Sequence, residues 1–139
     1  MQERLAPACI ALPASAEDVA MVVATLAELP GAVFAIRSSG HSPNLGFANT
    51  DRGITLGGGI PAFSLLRGWA CDNVANMQVV LASGEIVEAN DGNGYADLFV
   101  ALKGGQSNFG VVIRFDLRTV RQRLYWGGNI ASVVTYGRE

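Results

Sequence analysis

Arg37-Ser38-Ser39-Gly40-His41-Ser42 gathers more chemistry than any other stretch of this 139-residue chain and holds its single histidine. Consecutive amides in a turn form a concave anion-binding nest, and a glycine lets the backbone approach a ligand closely. Hydroxyls and a guanidinium add directed donors, so the segment suits a diphosphate. The bland alternatives stay open beside it. A histidine in a Ser/Gly loop can simply be solvated, and Arg37 can cap an exposed strand end as readily as neutralise phosphate charge. A second glycine cluster, Gly57-Gly58-Gly59, lacks the G-x-G-x-x-G spacing of a dinucleotide fingerprint, and no acidic residue follows a β-α-β unit at the required distance. A tight turn packed near a ligand fits it better. Cys71 has no neighbouring His or Lys in sequence to lower its pKa, so no nucleophile is assigned. Trp69 and Phe63 read as core or wall residues. Asp72-Asn73 reads as a turn held by side-chain-to-backbone hydrogen bonds, and Asn108 as structural.

The elements that position these residues divide at Thr55-Leu56. In residues 1–55, Cys9 to Leu12 reads as a short strand ended by Pro13. Ser15 then caps a helix with Glu17 and Asp18 in its first turn, where the helix dipole favours negative charge. Val19, Val22, Val23, Leu26 and Leu29 form one apolar face, and Pro30-Gly31 stops the helix. The apolar run Ala32 to Ile36 reads as a buried strand that delivers Arg37 to the loop. This β-α-β order predicts a parallel pair with the helix on one face. In residues 56–139, Val79 to Ala89 reads as a hairpin turning at Ala82-Ser83-Gly84. Tyr95 to Lys103 reads as a helix with Leu98, Phe99 and Leu102 on one face, ended by Gly104-Gly105. Phe109 to Leu117 reads as a strand, and Tyr125 to Val134 is a candidate for another. The fold class expected is α+β, in two small subdomains.

Composition narrows the function classes. Half the residues are hydrophobic and the formal charge is −2. No basic stripe points to nucleic acid, and no apolar run reaches the ~18 residues of a membrane span. The first residues lack the apolar core of a signal peptide, which leaves the compartment undetermined. Two cysteines, Cys9 and Cys71, could form one bridge, but two buried thiols is the reading preferred. No cluster suggests a metal. Seventeen glycines, clustered rather than dispersed, point to specific turns.

Taken in order, the segments resemble a family. Cys9-Ile10-x-x-Pro13, Ser15-Ala16-Glu17-Asp18-Val19, Arg37-Ser38-x-Gly40-His41-Ser42, Leu56-Gly57-Gly58-Gly59-Ile60, Gly68 to Val74, Val79 to Gly84 and Ala101-Leu102-Lys103-Gly104-Gly105-x-x-Asn108-Phe109-Gly110 follow the arrangement of the fungal berberine-bridge-enzyme-like oxidases. Those are flavoproteins with a vanillyl-alcohol-oxidase type FAD-binding domain. The resemblance implies FAD held between two α+β subdomains, with Arg37 to Ser42 around its diphosphate and Gly57, Gly58, Gly59 and Val79 as further contacts. It also implies a covalent bond between His41 and the flavin; a neutral imidazole nitrogen, the state held near pH 7, is nucleophilic enough for that. The implied reaction is oxidation of a small organic substrate by hydride transfer to the flavin.

The chain departs from the family in two places. A long segment with further flavin contacts is missing between Gly53-Ile54-Thr55 and Leu56-Gly57-Gly58-Gly59. Ile54 and Gly57 lie at most about 10 Å apart, so no strand-helix-strand unit fits there. The substrate domain that carries the family's catalytic base is also missing, and no catalytic residue can be named. Two functions compete: an FAD-dependent oxidoreductase, incomplete as this chain, and a noncatalytic remnant with weak or no FAD binding. A plain α+β binding domain would explain neither the Gly57 run nor the Gly104-to-Gly110 stretch. Uncovered apolar faces and unpaired strands would favour self-association.

Overall fold

The computed structural model describes residues 7–37, 53–119, 121, 127 and 128. Helix α1 spans Ala16–Glu28, and its start is closed on both sides. Ser15 Oγ accepts from the Asp18 amide at 3.1 Å, while the Asp18 carboxylate accepts from the amides of Ser15 and Ala14 at 3.1 and 3.0 Å. This reciprocal box satisfies donors that the first helical turn leaves without intrahelical partners. The helix ends where Leu29 turns extended and Gly31 takes a positive φ of 77°.

Two single-turn helices follow, α2 (Gly53–Leu56) and α3 (Ser64–Arg67), then a 3-10 turn at Cys71–Asn73. The sheet comes after them. Strand β1 (Val74–Val80) and strand β2 (Ile86–Ala89) form the expected hairpin, with Leu81 and Glu85 bonded across a turn in which Gly84 has φ +83°. Helix α4 (Ala96–Gly105) crosses the sheet, and strand β3 (Val111–Leu117) returns antiparallel to β1. The order is β2-β1-β3, so β1 is central. The α+β class holds among the described residues.

One main core forms on the α4 face of the sheet. Val74, Met77 and Val79 from β1, and Val87 and Ala89 from β2, pack with Phe99 and Leu102 of α4 and with Leu56. Alternation along β1 sends Gln78 and Val80 to the opposite face, and Val80 is buried. On that side α1 lies over the hairpin turn: a Cβ at Gly84 would come within 2.9 Å of Ala24 Cβ and 3.2 Å of the Ala20 carbonyl. Glycine is required there by both close approach and positive φ.

The N-terminal parallel pair is a correction. Residues 9–14 and 32–37 carry no strand, and Val33 and Leu12 are 97% and 88% exposed. An apolar run becomes a strand only when another backbone supplies a ladder, and among the described residues the sheet is built wholly between Val74 and Leu117. Helix α1 packs on the β1–β2 hairpin instead. Cys9 is likewise exposed rather than buried, while Cys71 is buried as expected. Of the candidate strand at 125–134 only Gly127 and Gly128 are described, and they carry no strand; the rest lies outside the described residues.

Candidate functional site

The phosphate-loop candidates divide at Arg37. Arg37 is exposed on an irregular segment, not at a strand end. Ser38, Ser39, Gly40, His41 and Ser42 lie outside the described residues. The structure therefore places the approach to this loop but not the loop.

The glycine turn is described. Leu56, buried in the core, fixes its start, and the Leu56 carbonyl accepts from the Gln106 amide at 3.2 Å just beyond α4. The Gly58 amide donates to the Thr55 carbonyl at 3.2 Å. Its own carbonyl accepts from Cys71 at 3.0 Å, and the Gly59 carbonyl accepts from Ala70 at 2.9 Å. These bonds clasp the 3-10 turn at Cys71–Asn73. Gly58 is buried with φ +100°, and a Cβ there would sit 3.3 Å from the Trp69 ring. The turn is thus shaped by Trp69 and by internal backbone pairing. Gly57 is exposed, and Val79 is fully buried in the central strand among core side chains.

Asp72 and Asn73 hold the neighbouring turn as their types suggest. Asp72 Oδ2 accepts from the Trp69 amide at 2.8 Å, and Asn73 Nδ2 donates to the carbonyls of Arg67 and Trp69 at 3.1 and 2.9 Å. Asn108 Nδ2 donates to the Gly105 carbonyl at 2.8 Å, also a structural task. Trp69, 54% exposed, is a wall residue and not part of the core.

Two shallow clefts open beside this turn. One, about 130 Å³, lies among Thr55, Pro61, Phe63, Asn73, Leu117 and Arg118. The other, about 230 Å³, lies among Ile60, Ser64, Leu65, Gly68 and Trp69. Sites that enclose a drug-sized ligand usually measure about 300–1,000 Å³. Neither of these two clefts by itself encloses an FAD. Among them no group of His, Cys, Asp and Glu is placed to hold a metal, and no helix is long and apolar enough to cross a membrane.

A polar ladder crosses the sheet on the α1 side, unannounced by any motif. Register pairs Gln78 with Glu88 and Arg114, and Asn76 with Asp116. Arg114 Nη2 reaches both Glu88 oxygens at 3.0 and 3.1 Å, and its Nε donates to Asp116 at 3.1 Å. Asn76 Nδ2 donates to Asp116 at 3.0 Å, and that bond, followed by the Arg114 contact, holds the Asp116 carboxyl below its ordinary range. The same Asp116 contact raises the Arg114 guanidinium. Period-two alternation could have exposed the ladder once the three-strand register was known.

No family model matches the chain. It is 35% identical, over 95% of its length, to a protein of Diaporthe leptostromiformis named oligopeptidase PhomG', and covers 14% of that protein, most of which lies outside the alignment. It is 34% identical over 91% of its length to FAD-dependent monooxygenase FUP4 of Fusarium proliferatum, covering 35% of that protein. Among solved structures, the flavoprotein MtVAO615 of Myceliophthora thermophila aligns with 74% of this chain and 17% of its own at 28% identity and a TM-score of 0.46. The chain thus spans between 14% and 40% of the length of the curated relatives it matches. The Fusarium alignment runs over 181 positions, more than the 139 residues present, so dozens of internal positions have no residue here. Along most of its length the chain is thus similar to part of the fungal FAD-dependent monooxygenases and FAD-linked oxidoreductases.

Proposed function

We propose that this chain is the FAD-binding portion of an FAD-dependent oxidoreductase and that it is incomplete as a catalyst. The observation that carries the reading is its identity to an FAD-dependent monooxygenase along nine-tenths of its length. When bound, such a cofactor accepts a hydride from a small organic substrate. The chain's own part is to bind: Arg37 to Ser42 would meet the diphosphate with amides, hydroxyls and one guanidinium, and His41 would tether the flavin. Gly57, exposed at the start of its turn, would contribute backbone at close approach, whereas Gly58 and Gly59 are engaged in internal bonds. The α4–sheet core is the rigid block behind that surface.

A second reading, a noncatalytic remnant, draws on the dozens of alignment positions that have no residue in this chain. Thermal unfolding of the purified chain with and without FAD separates the two. A ligand bound only by the native state must raise the melting temperature. The oxidoreductase reading expects an FAD-dependent rise, and yellow colour that stays with the denatured polypeptide and is lost in His41→Ala. Colourless protein with an unmoved melting temperature overturns it and leaves the remnant.

A further inference from the structure

We infer that Asn93 is a hydrolytic modification site: its carboxamide deamidates when the turn between β2 and α4 opens, and the product cannot close that turn again. Asn93-Gly94 is the one Asn-Gly pair in the sequence; every other asparagine precedes a residue with a side chain. A following residue without Cβ lets its backbone nitrogen fold back onto the asparagine side chain. Both residues are exposed, so water reaches the site and ammonia leaves it freely.

The reaction balances with water as the sole co-reactant. The Gly94 backbone nitrogen attacks Asn93 Cγ, the Cγ–Nδ2 bond breaks, and ammonia leaves with the proton that the attacking nitrogen gives up. Water then opens the cyclic imide at either carbonyl. One opening yields aspartate; the other yields isoaspartate, whose main chain runs through the former side chain. Nothing is oxidised or reduced.

The fold gives glycine no structural reason to stand at position 94. Its φ lies outside the left-handed region, and a Cβ there would meet nothing within 4 Å. Gly84 and Gly110 differ on both counts, with a positive φ and a Cβ contact under 3 Å.

Asn93, by contrast, is built into the joint. Its Nδ2 donates to the Glu88 carbonyl at 2.6 Å, and its Oδ1 accepts from the amides of Tyr95 and Asn90 at 2.9 and 3.5 Å. The side chain thus ties the end of β2 to the start of α4, where Tyr95 at the N-cap position provides no side-chain cap of its own. The bond from Tyr95 is an Asx-turn, a local arrangement that asparagine favours. With both ends of the carboxamide pinned, Cγ cannot swing its face toward the Gly94 nitrogen. Reaction waits for the clasp to break, and an exposed turn opens at less cost than the whole domain. Aspartate has no donor for the Glu88 carbonyl and sets a carboxylate beside that oxygen. Isoaspartate also lengthens the turn and displaces the Asn93 carbonyl that accepts from Ala96 at 3.2 Å. Either product leaves α4 less firmly joined to the sheet.

The test follows the purified full chain at neutral pH, in buffer and in concentrated urea, by mass-spectrometric peptide mapping with an isoaspartate assay. Conversion is expected at Asn93 in both, roughly tenfold slower in buffer because only the locally opened turn reacts there. The converted chain should unfold at lower urea than the parent, as should Asn93→Asp. Gly94→Ala should keep the parent's urea midpoint and slow conversion roughly tenfold, since its methyl obstructs ring closure. Should Gly94→Ala not fold, the parent's two rates and its peptide map decide. The proposal is overturned by no conversion at Asn93 in buffer, or by equal rates in buffer and urea. It is also overturned by a folded Gly94→Ala that converts as fast as the parent, or by a converted chain with an unmoved midpoint.

Discussion

Gly110→Ala is the substitution that most directly probes how β3 is held. Gly110 immediately precedes the strand and has a φ of +155°. A Cβ placed there would lie 2.7 Å from Val79 Cγ1 and 2.9 Å from the Val80 carbonyl oxygen. Both neighbours belong to the buried central strand, and one is backbone, so neither can swing away. Conformational strain of this kind costs about 1–3 kcal/mol, and forcing a methyl into a packed interior costs about 1–3 kcal/mol more. The expected loss is about 2–6 kcal/mol, a large part of the ~5–15 kcal/mol that holds a typical domain together. With a urea slope of ~2 kcal/mol/M, the unfolding midpoint falls by about 1–3 M. Gly104→Ala is the matched control. Its φ is +96°, but a Cβ there meets nothing within 4 Å, so only the left-handed backbone penalty of ~1 kcal/mol applies. If Gly110→Ala shifts the midpoint no further than Gly104→Ala, close approach to β1 is not what selects glycine and the argument fails.

Two other perturbations follow from local geometry. Ser15→Ala removes one half of the α1 capping box and should cost about 1 kcal/mol; because α1 buries only Val23 fully, hydrogen exchange should report faster α1 amides beside unchanged sheet amides. The Asp116 carboxyl titrates lower folded than unfolded, through its bonds to Asn76 and Arg114, so its stabilisation is full above the ordinary aspartate range and is lost as pH falls through the lowered value. Asp116→Asn should therefore lower the urea midpoint at pH 7 and leave it nearly unchanged at about pH 2; an equal loss at both pH values would contradict the ion-pair account.

What could be read from the residues alone was what neighbours in sequence decide. The Ser15 cap, the α1 face at Val19, Val22, Val23 and Leu26, the hairpin turn at Gly84 and the Phe99/Leu102 face of α4 all stem from contacts a few residues apart, and each stands in the structure; Leu29, expected on the same α1 face, lies past the helix end and is 53% exposed. The Cys9-to-Leu12 and Ala32-to-Ile36 runs carry the same apolar signal as true strands, yet a ladder needs a distant partner that periodicity cannot reveal. The site was legible to a similar degree. Asp72, Asn73 and Asn108 act on nearby backbone, as their types suggested. The role of the Gly57-to-Gly59 turn in clasping Ala70 and Cys71 was not visible, because it depends on Trp69 folding back over Gly58. The ladder of Asn76, Gln78, Glu88, Arg114 and Asp116 joins three strands, so no single stretch announced it.

The β2-β1-β3 order also has a consequence for how the chain folds. The hairpin partners, Val80 with Ile86 and Met77 with Ala89, lie close along the chain, whereas Val74 pairs with Leu117 from the far side of α4 in sequence. Closing the longer loop costs more chain entropy before any contact rewards it. The hairpin and α4 can therefore assemble first, and β3 arrives as the last zipper onto β1. Until it does, Val79 and Val80 sit along an open backbone edge, and a nascent chain halted before Val111 would leave its central strand as a template for foreign strands.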